Sequence, residues 1–273
     1  YRSLVKWGDP AGIKHPNRGL VRLMMEKFHL TEADLSEPLN LSLEQVEDNV
    51  PCRLPEEHLE FFRALCGPEN VCTDTYTRIA RSYGKGMLDA LRLRRKIVEN
   101  LPEIVVSPRS REEIVRIVAY ADEHRIPVTI FGGGSTVTRG MEATRGGICV
   151  DMSKHMNRVI AFNETDQTIT VEAGISGPKL ETLLNNAAKE FGAARAYTCG
   201  QFPQSFEYSS VGGWVVTRGA GQNSTYYGKS EDIVISQDYV TPIGDFHTCP
   251  HPRAATGPDF DQIMLGGEGA FGI

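Results

Sequence analysis

Residues 202–221, FPQSFEYSSVGGWVVTRGAG, decide the reading of this chain. They crowd four glycines, four serine or threonine hydroxyls and one arginine around the apolar Val211, Trp214, Val215 and Val216. Gly212 and Gly213 remove side chains where a ligand or another backbone approaches closely. Ser209, Ser210 and Thr217 can donate to phosphate oxygens, and Arg218 offers a planar charged fork. Such a segment suits a large, polyanionic, partly aromatic cofactor better than a small substrate. A glycine-rich turn leading into a buried segment is the plainer reading of the same residues.

Two further glycine-rich segments lie on either side of it. Phe131-Gly132-Gly133-Gly134-Ser135-Thr136 follows the apolar run 128–131. Successive small residues there let backbone amides converge on an anion. The spacing is not the dinucleotide fingerprint, because the sixth position from Gly132 is Val137. It is not a Walker-type phosphate loop either, since no Gly-Lys-Ser/Thr follows. A tight structural turn is the competing reading. Downstream, Gly266-Gly267-Glu268-Gly269 precedes Ala270-Phe271-Gly272. Glu268 could reach a sugar hydroxyl or orient a loop, against a plain surface turn.

Outward from these segments, strands and helices alternate. Strands are expected over 103–106, 128–131, 147–151, 168–173 and 232–241. Ser110 and Glu113 read as a capping box opening a helix whose stripe is Ile114, Ile117, Val118 and Ala121. A second helix is capped by Ser176, has Pro178 in its first turn, carries Leu180, Leu183, Leu184, Ala187 and Phe191, and ends at Gly192. This pattern predicts an α+β or α/β domain, and the lack of long helices between several of the strands argues against a regular doubly wound sheet. Residues 1–100 read as a mainly helical region, with short helices around 19–30 and from Met87 through Leu88, Leu91 and Val98 to just before Pro102. Packing and interaction are its expected roles, with Lys6-Trp7-Gly8 as an exposed arm.

Composition narrows the function. The chain has 273 residues, 40% hydrophobic and 23% charged, with a net charge of −6. The one basic run, Arg92, Arg94, Arg95 and Lys96, is followed by Glu99 and Glu103 and reads as a solvated helix face, so nucleic-acid binding is not expected. Six cysteines without a CxxC pair argue against zinc, iron–sulfur or thioredoxin-like chemistry and read as reduced thiols in a cytoplasmic protein. His247, Cys249 and His251 sit among prolines and read as a loop rather than a metal site; His124 and His155 read as exposed. No apolar run is long enough to span a bilayer. The chain opens on Tyr1 and stops within GGEGAFGI, so a piece of a longer protein is expected.

Together, these segments resemble the FAD-binding domain of the vanillyl-alcohol oxidase/p-cresol methylhydroxylase (PCMH-type) superfamily, and within it the alkyldihydroxyacetonephosphate synthase (alkylglycerone-phosphate synthase) family. The resemblance rests on 108–136, on DMSKHMNRV at 151–159, on 202–234, on TPIGD at 241–245, on TGPD at 256–259 and on 266–273. It implies a PCMH-type domain of two α+β subdomains over 101–273, after the helical region 1–100, with a substrate cap beyond Ile273. It implies FAD held at Phe131, Gly132, Gly133, Gly134, Ser135 and Thr136 around the pyrophosphate. Gln204, Ser205, Glu207, Tyr208, Ser209 and Ser210 would line the flavin, with Gly212 and Gly213 behind them. Thr217, Arg218 and Ala220 would continue the cradle, and Glu268, Gly269, Gly272 and Ile273 would complete it. No catalytic residue carries over.

The family's reaction involves no net redox change: the acyl group of acyl-dihydroxyacetone phosphate leaves and a fatty alcohol replaces it, giving an ether-lipid precursor. The alternatives are an FAD-linked oxidase or dehydrogenase of a 2-hydroxy acid or other alcohol, and a non-catalytic flavin-binding subunit. The resemblance also implies a homodimer, a small-molecule or lipid substrate, peripheral membrane contact, and a peroxisomal location in a eukaryote. Three departures stand out. Gln201 follows Gly200 where the family reads Gly-His, Ser135-Thr136 inverts the usual Thr-Ser, and the usual Thr-Arg-x-Ser/Ala run is Thr217-Arg218-Gly219-Ala220. No histidine follows the triple glycine, so non-covalent FAD is expected.

Overall fold

The computed structural model describes residues 17–36 and 49–273. The Lys6-Trp7-Gly8 arm lies outside these residues. In chain order the helices are α1 (Arg18–Phe28), α2 (Glu32–Ser36), α3 (Glu56–Cys66), α4 (Thr75–Ala80), α5 (Met87–Arg94), α6 (Arg111–Glu123), α7 (Gly177–Asn185), α8 (Ala187–Phe191), α9 (Val211–Val216), α10 (Ser224–Tyr227), α11 (Ser230–Ile233) and α12 (Phe260–Met264). The strands are β1 (Val71–Cys72), β2 (Ile104–Val106), β3 (Val128–Phe131), β4 (Ile148–Asp151), β5 (Val159–Asn163), β6 (Thr168–Val171), β7 (Asp238–Thr241) and β8 (Gly244–His247).

β2, α6 and β3 form a crossover with β4 inserted between the two strands. The sheet order is β1-β2-β4-β3, parallel except for β1. β4 is buried at every position, which is why ICVD carries no alternation: a strand covered on both faces has no solvent side to mark. Ile104, Val106, Ile148 and Val150 face α3 and α6 in the main core, with Leu59, Phe62, Ile114 and Ile117. Val105, Cys149 and Phe131 face the other way, with Met141. A second core joins the β5–β6 hairpin to α7 and α9 through Val159, Phe162, Ile169, Leu180, Leu184 and Trp214. These are two α+β units, and the sequence between β6 and α9 faces the first of them across a cleft.

The stretch 49–100 is joined to the sheet. Val71 pairs with Val106, α3 contributes to the main core, and the buried Arg78 donates to the carbonyls of Val50 and Pro102, both at 2.6 Å. The expected division near residue 100 therefore runs through one packed core.

Several local expectations are corrected. The helix from Met87 stops at Arg94, and its expected apolar positions point outward: Met87 is 79% and Leu88 50% exposed, and Leu91 is exposed too. Asp89, Arg92 and Leu93 are buried instead. Arg92 is therefore no solvated face; its guanidinium lies 5.1 Å from the Tyr83 ring and pairs with Glu142 and Glu99. The helix read through to Phe191 breaks at Asn186. The Asn185 and Asn186 side chains bond back to the Glu181 and Thr182 carbonyls, both at 2.7 Å, competing with the helix's own amides.

The strand expected at 232–241 begins only at Asp238. Before it, Asp232 accepts from the Lys229 amide and the chain closes the short helix α11. The capping box is half made. Ser110 Oγ accepts from the Glu113 amide, but the Glu113 carboxylate accepts from the Arg109 amide and guanidinium.

Candidate functional site

The cleft between the two units has a volume of roughly 420 Å³. Its floor is the end of β3 and the triple-glycine loop, Phe131 to Gly134, packed against Tyr208, Ser209 and Ser210. Two of the glycines are required by that packing. A Cβ on Gly132 would lie 2.2 Å from Ser210 Oγ, and one on Gly133 would lie 1.9 Å from the Tyr208 carbonyl oxygen. Gly134, at φ +67°, then turns the chain. Among the described residues, no protein group accepts from the Gly132, Gly133 or Gly134 amides. Three consecutive donors are thus left for a ligand, the arrangement of an anion nest.

The 208–213 segment is held from behind. Ser209 O accepts from the Gly177 amide at 3.2 Å, and Ile175 O and Ala173 O accept from the Val211 and Gly212 amides at 2.9 and 2.8 Å. The Trp214 indole donates to Ser209 Oγ at 2.7 Å, and Ser210 Oγ caps α9 by accepting from the Gly213 amide. The two serine hydroxyls are therefore already acceptors within the protein. Their own O–H donors remain for a ligand.

The other walls come from residues that the sequence reading did not assign. Ser153 and Asn157 lie in the loop after β4, Gly174, Ser176 and Lys179 at the start of α7, and Tyr76, Arg81, Tyr83 and Lys85 in the stretch before α5. Lys85 donates its amide to Thr136 O at 2.7 Å, strapping this stretch over the glycine loop. The signal for Ser153 and Asn157 was the DMSKHMNRV segment. The signal for Lys179 was its place beside a helix cap, which read as purely structural.

Behind Phe131, burial and the nearby Asp151 carboxylate push the Cys149 thiol up to about 12, so it is a packed thiol and not a nucleophile. Asp151, buried beneath the cleft, accepts from Ser153 through one oxygen and from Arg81 through the other.

The remaining expected site residues form a second layer beside the cleft. Thr138 donates to Glu268 at 2.8 Å, the Glu268 amide donates to Val216 O at 3.0 Å, and Gly269 packs on Ile130. The three glycine segments thus meet, with Ser135 and Thr136 leading into this layer. Thr217 bonds back to Gly213 O. Arg218 spends its fork on protein: Gln262 O at 2.6 Å, Gln262 Oε1 at 3.0 Å, Leu265 O at 3.2 Å and Glu231 at 3.3 Å.

Gln204, Glu207 and Ala220 are exposed outside the cleft lining, and Ser205 O serves the turn to Tyr208 and Ser209. Gly272 and Ile273 lie against β7, where Ile273 exchanges both backbone bonds with Val240. Gln201 is buried, with its amide nitrogen on Gly219 O and Ser230 Oγ, and does not line the cleft. His155 is half-buried against Asn70 Oδ1 at 2.8 Å, whereas the reading expected it exposed.

Residues 102–250 match the family described as FAD binding domain. An alkyldihydroxyacetonephosphate synthase of Dictyostelium discoideum is 32% identical over 232 residues, 83% of this chain and 36% of that protein. A mitochondrial D-lactate dehydrogenase (cytochrome) of Arabidopsis thaliana is 34% identical over 176 residues, 64% of this chain and 29% of that protein. A solved structure of an alkyldihydroxyacetonephosphate synthase superposes with a TM-score of 0.75 at 31% identity, over 85% of this chain and 41% of the other. The chain spans well under half the length of these relatives.

The cleft fits the group this family binds. FAD carries a diphosphate between two aromatic systems. Among the described residues, the lining offers the loop amides, three cationic side chains, no carboxylate, and the rings of Tyr76, Tyr83, Phe131 and Tyr208.

Proposed function

The chain belongs to the FAD-binding domain family and takes FAD as its cofactor; from that premise we propose that it carries the FAD site of an enzyme of the alkyldihydroxyacetonephosphate synthase type. The observation that carries the reading is the similarity to those synthases over most of this chain, together with a cleft built for a diphosphate. Bound FAD would supply the isoalloxazine ring as the reactive group. The chain's own part is to hold it: the Gly132–Gly134 amides take phosphate oxygens, the Ser209 and Ser210 hydroxyls donate from the facing wall, and Phe131 and Tyr208 cover the floor. Thr136, Thr138 and Glu268 brace that floor from the second layer.

The reaction class is exchange of the acyl group of acyl-dihydroxyacetone phosphate for a fatty alcohol. The intact protein, mixed anaerobically with acyl-dihydroxyacetone phosphate and hexadecanol, is expected to release fatty acid and form the ether. Absence of ether, with flavin bleaching by a 2-hydroxy acid, overturns this reading in favour of the dehydrogenase that the Arabidopsis relative represents.

Non-covalent attachment belongs to the same reading: among the described residues, no histidine or cysteine lines the cleft. Heat or acid is expected to release free FAD, and flavin that stays with the denatured chain counts against it. The described cysteines are all free thiols, in keeping with a reducing compartment, the cytoplasm or a peroxisome. No helix among the described residues is long and apolar enough to cross a membrane. Contact with lipid substrates at a membrane surface belongs to the same reading, and a homodimer is the expected assembly, measurable by light scattering.

A further inference from the structure

Three cations line the cleft, Arg81, Lys85 and Lys179, in a chain of net charge −6. They are not equivalent. Arg81 meets the buried Asp151 carboxylate through Nε and Nη2, each at 3.0 Å, and lies 5.0 Å from the Phe131 ring. Lys85 lies 5.4 Å from the Tyr208 ring.

Lys179 has neutral partners. Its Nζ donates to Asn157 O at 2.8 Å and to Asn157 Oδ1 at 2.7 Å. Asn157 is itself fixed, its amide nitrogen donating to Ser153 O at 2.7 Å. Among the described residues, no carboxylate forms an ion pair with Lys179. Glu172, whose carboxyl feels its charge, is engaged with Arg158 at 2.6 Å. The exposed ammonium is therefore anchored in direction by neutral partners, with no carboxylate bonded to it, and its third N–H is left over.

The position itself opposes a cation. Lys179 stands in the first turn of α7, after the Ser176 cap and Pro178. That is the positive end of the helix, where a positive side chain is disfavoured. The anion that would relieve this belongs in the cleft that Lys179 lines.

We propose that Lys179 is a charge-compensating contact for the diphosphate of the bound cofactor, acting from α7 across the same cleft as the Gly132–Gly134 amides. It is a binding and positioning residue. The inference rests on FAD binding and not on the ether-forming reaction.

The test uses the holoprotein. Flavin fluorescence on dilution gives the FAD dissociation constant, and ADP and adenosine are added as competitors with and without phosphates. Lys179→Gln is expected to raise the FAD constant roughly tenfold and to weaken ADP by the same factor, the size of one charge-assisted hydrogen bond. Adenosine competition should not change, and Lys179→Arg should recover most of the affinity. Wild-type ADP affinity should fall with ionic strength, and Lys179→Gln should flatten that dependence.

Equal ADP affinity in wild type and Lys179→Gln overturns the proposal, as does an equal loss for ADP and adenosine. If Lys179→Gln does not fold, the wild type decides: ADP competition that is absent or indifferent to salt overturns it. None of these readouts measures ether formation, so their failure leaves the proposed reaction untouched, and the reverse holds.

Discussion

Gly133 sets the tightest constraint on the cleft. A Cβ there would lie 1.9 Å from Tyr208 O and 2.7 Å from Ser209 Cα, and both of those are backbone atoms that cannot swing aside. Gly133→Ala must separate the glycine loop from the 208–210 segment. Overpacking of this kind costs about 1–3 kcal/mol. Thermal melts should show the loss, and flavin absorbance per protein should fall with it; an unchanged melting temperature and flavin content would count against the packing described. The glycines announced themselves in the sequence as a site for close approach. What approaches, the backbone of a segment about 75 residues downstream, was not legible, because a glycine carries no mark of its neighbour. Lys179 shows the converse. Its type was visible, but only the fold reveals that it borders a cleft without carboxylates.

At the level of elements, the short helix α9 is a junction. Its N-terminal end forms the cleft wall, while from its C-terminal end Arg218 gathers α12 and the 265–269 turn through Gln262 and Leu265. Arg218, read as a phosphate fork, donates to the Gln262 and Leu265 carbonyls, the Gln262 side chain and the Glu231 carboxylate. Arg218→Ala is expected to loosen 249–269 and raise its cleavage in limited proteolysis. Arg218→Lys should not restore resistance, because one ammonium cannot serve acceptors spread along the planar fork; restoration by lysine would show that charge alone matters there. Helix starts were readable, since Ser110 and Ser176 cap as their spacing implies. Helix ends and faces were less so. Asn186 breaks a continuous apolar stripe, and α5 turns Met87, Leu88 and Leu91 outward while Arg92 shares the inner face with Leu93 and Asp89.

For the whole molecule, the N-terminal stretch and the 139–142 segment after the glycine loop are tied by one buried polar network. Glu142 accepts from Arg92 at 2.9 Å, from Asn100 at 2.6 Å and from Arg139 at 2.6 Å. Burial raises its carboxyl pKa, but those three donors together outweigh burial and hold it below the ordinary glutamate value. A carboxyl depressed on folding stabilises the protein above its unfolded pKa, and that contribution is lost as pH falls through the lower, folded value. Wild-type stability in urea should therefore drop on acidification below about pH 4.5, with this carboxylate contributing. Glu142→Gln should cost about 3 kcal/mol at neutral pH, since it leaves the buried Arg92 only the exposed Glu99 as an anionic partner, and should flatten the acid limb. An acid limb as steep as wild type would remove Glu142 from the account.

By itself the sequence determined the α+β class, the strands β2, β3, β4 and β6, the starts of α6 and α7, the three glycine segments and the family, because these are written in local periodicity, turn chemistry and contiguous motifs. Only the tertiary structure decided that residues 49–100 belong to the same core, that Arg92 is buried between Glu142 and Glu99, that Arg218 bonds to Gln262, Leu265 and Glu231, and that Lys179 lines the cofactor cleft. Those outcomes depend on which distant groups the fold brings together, and no local pattern records that meeting.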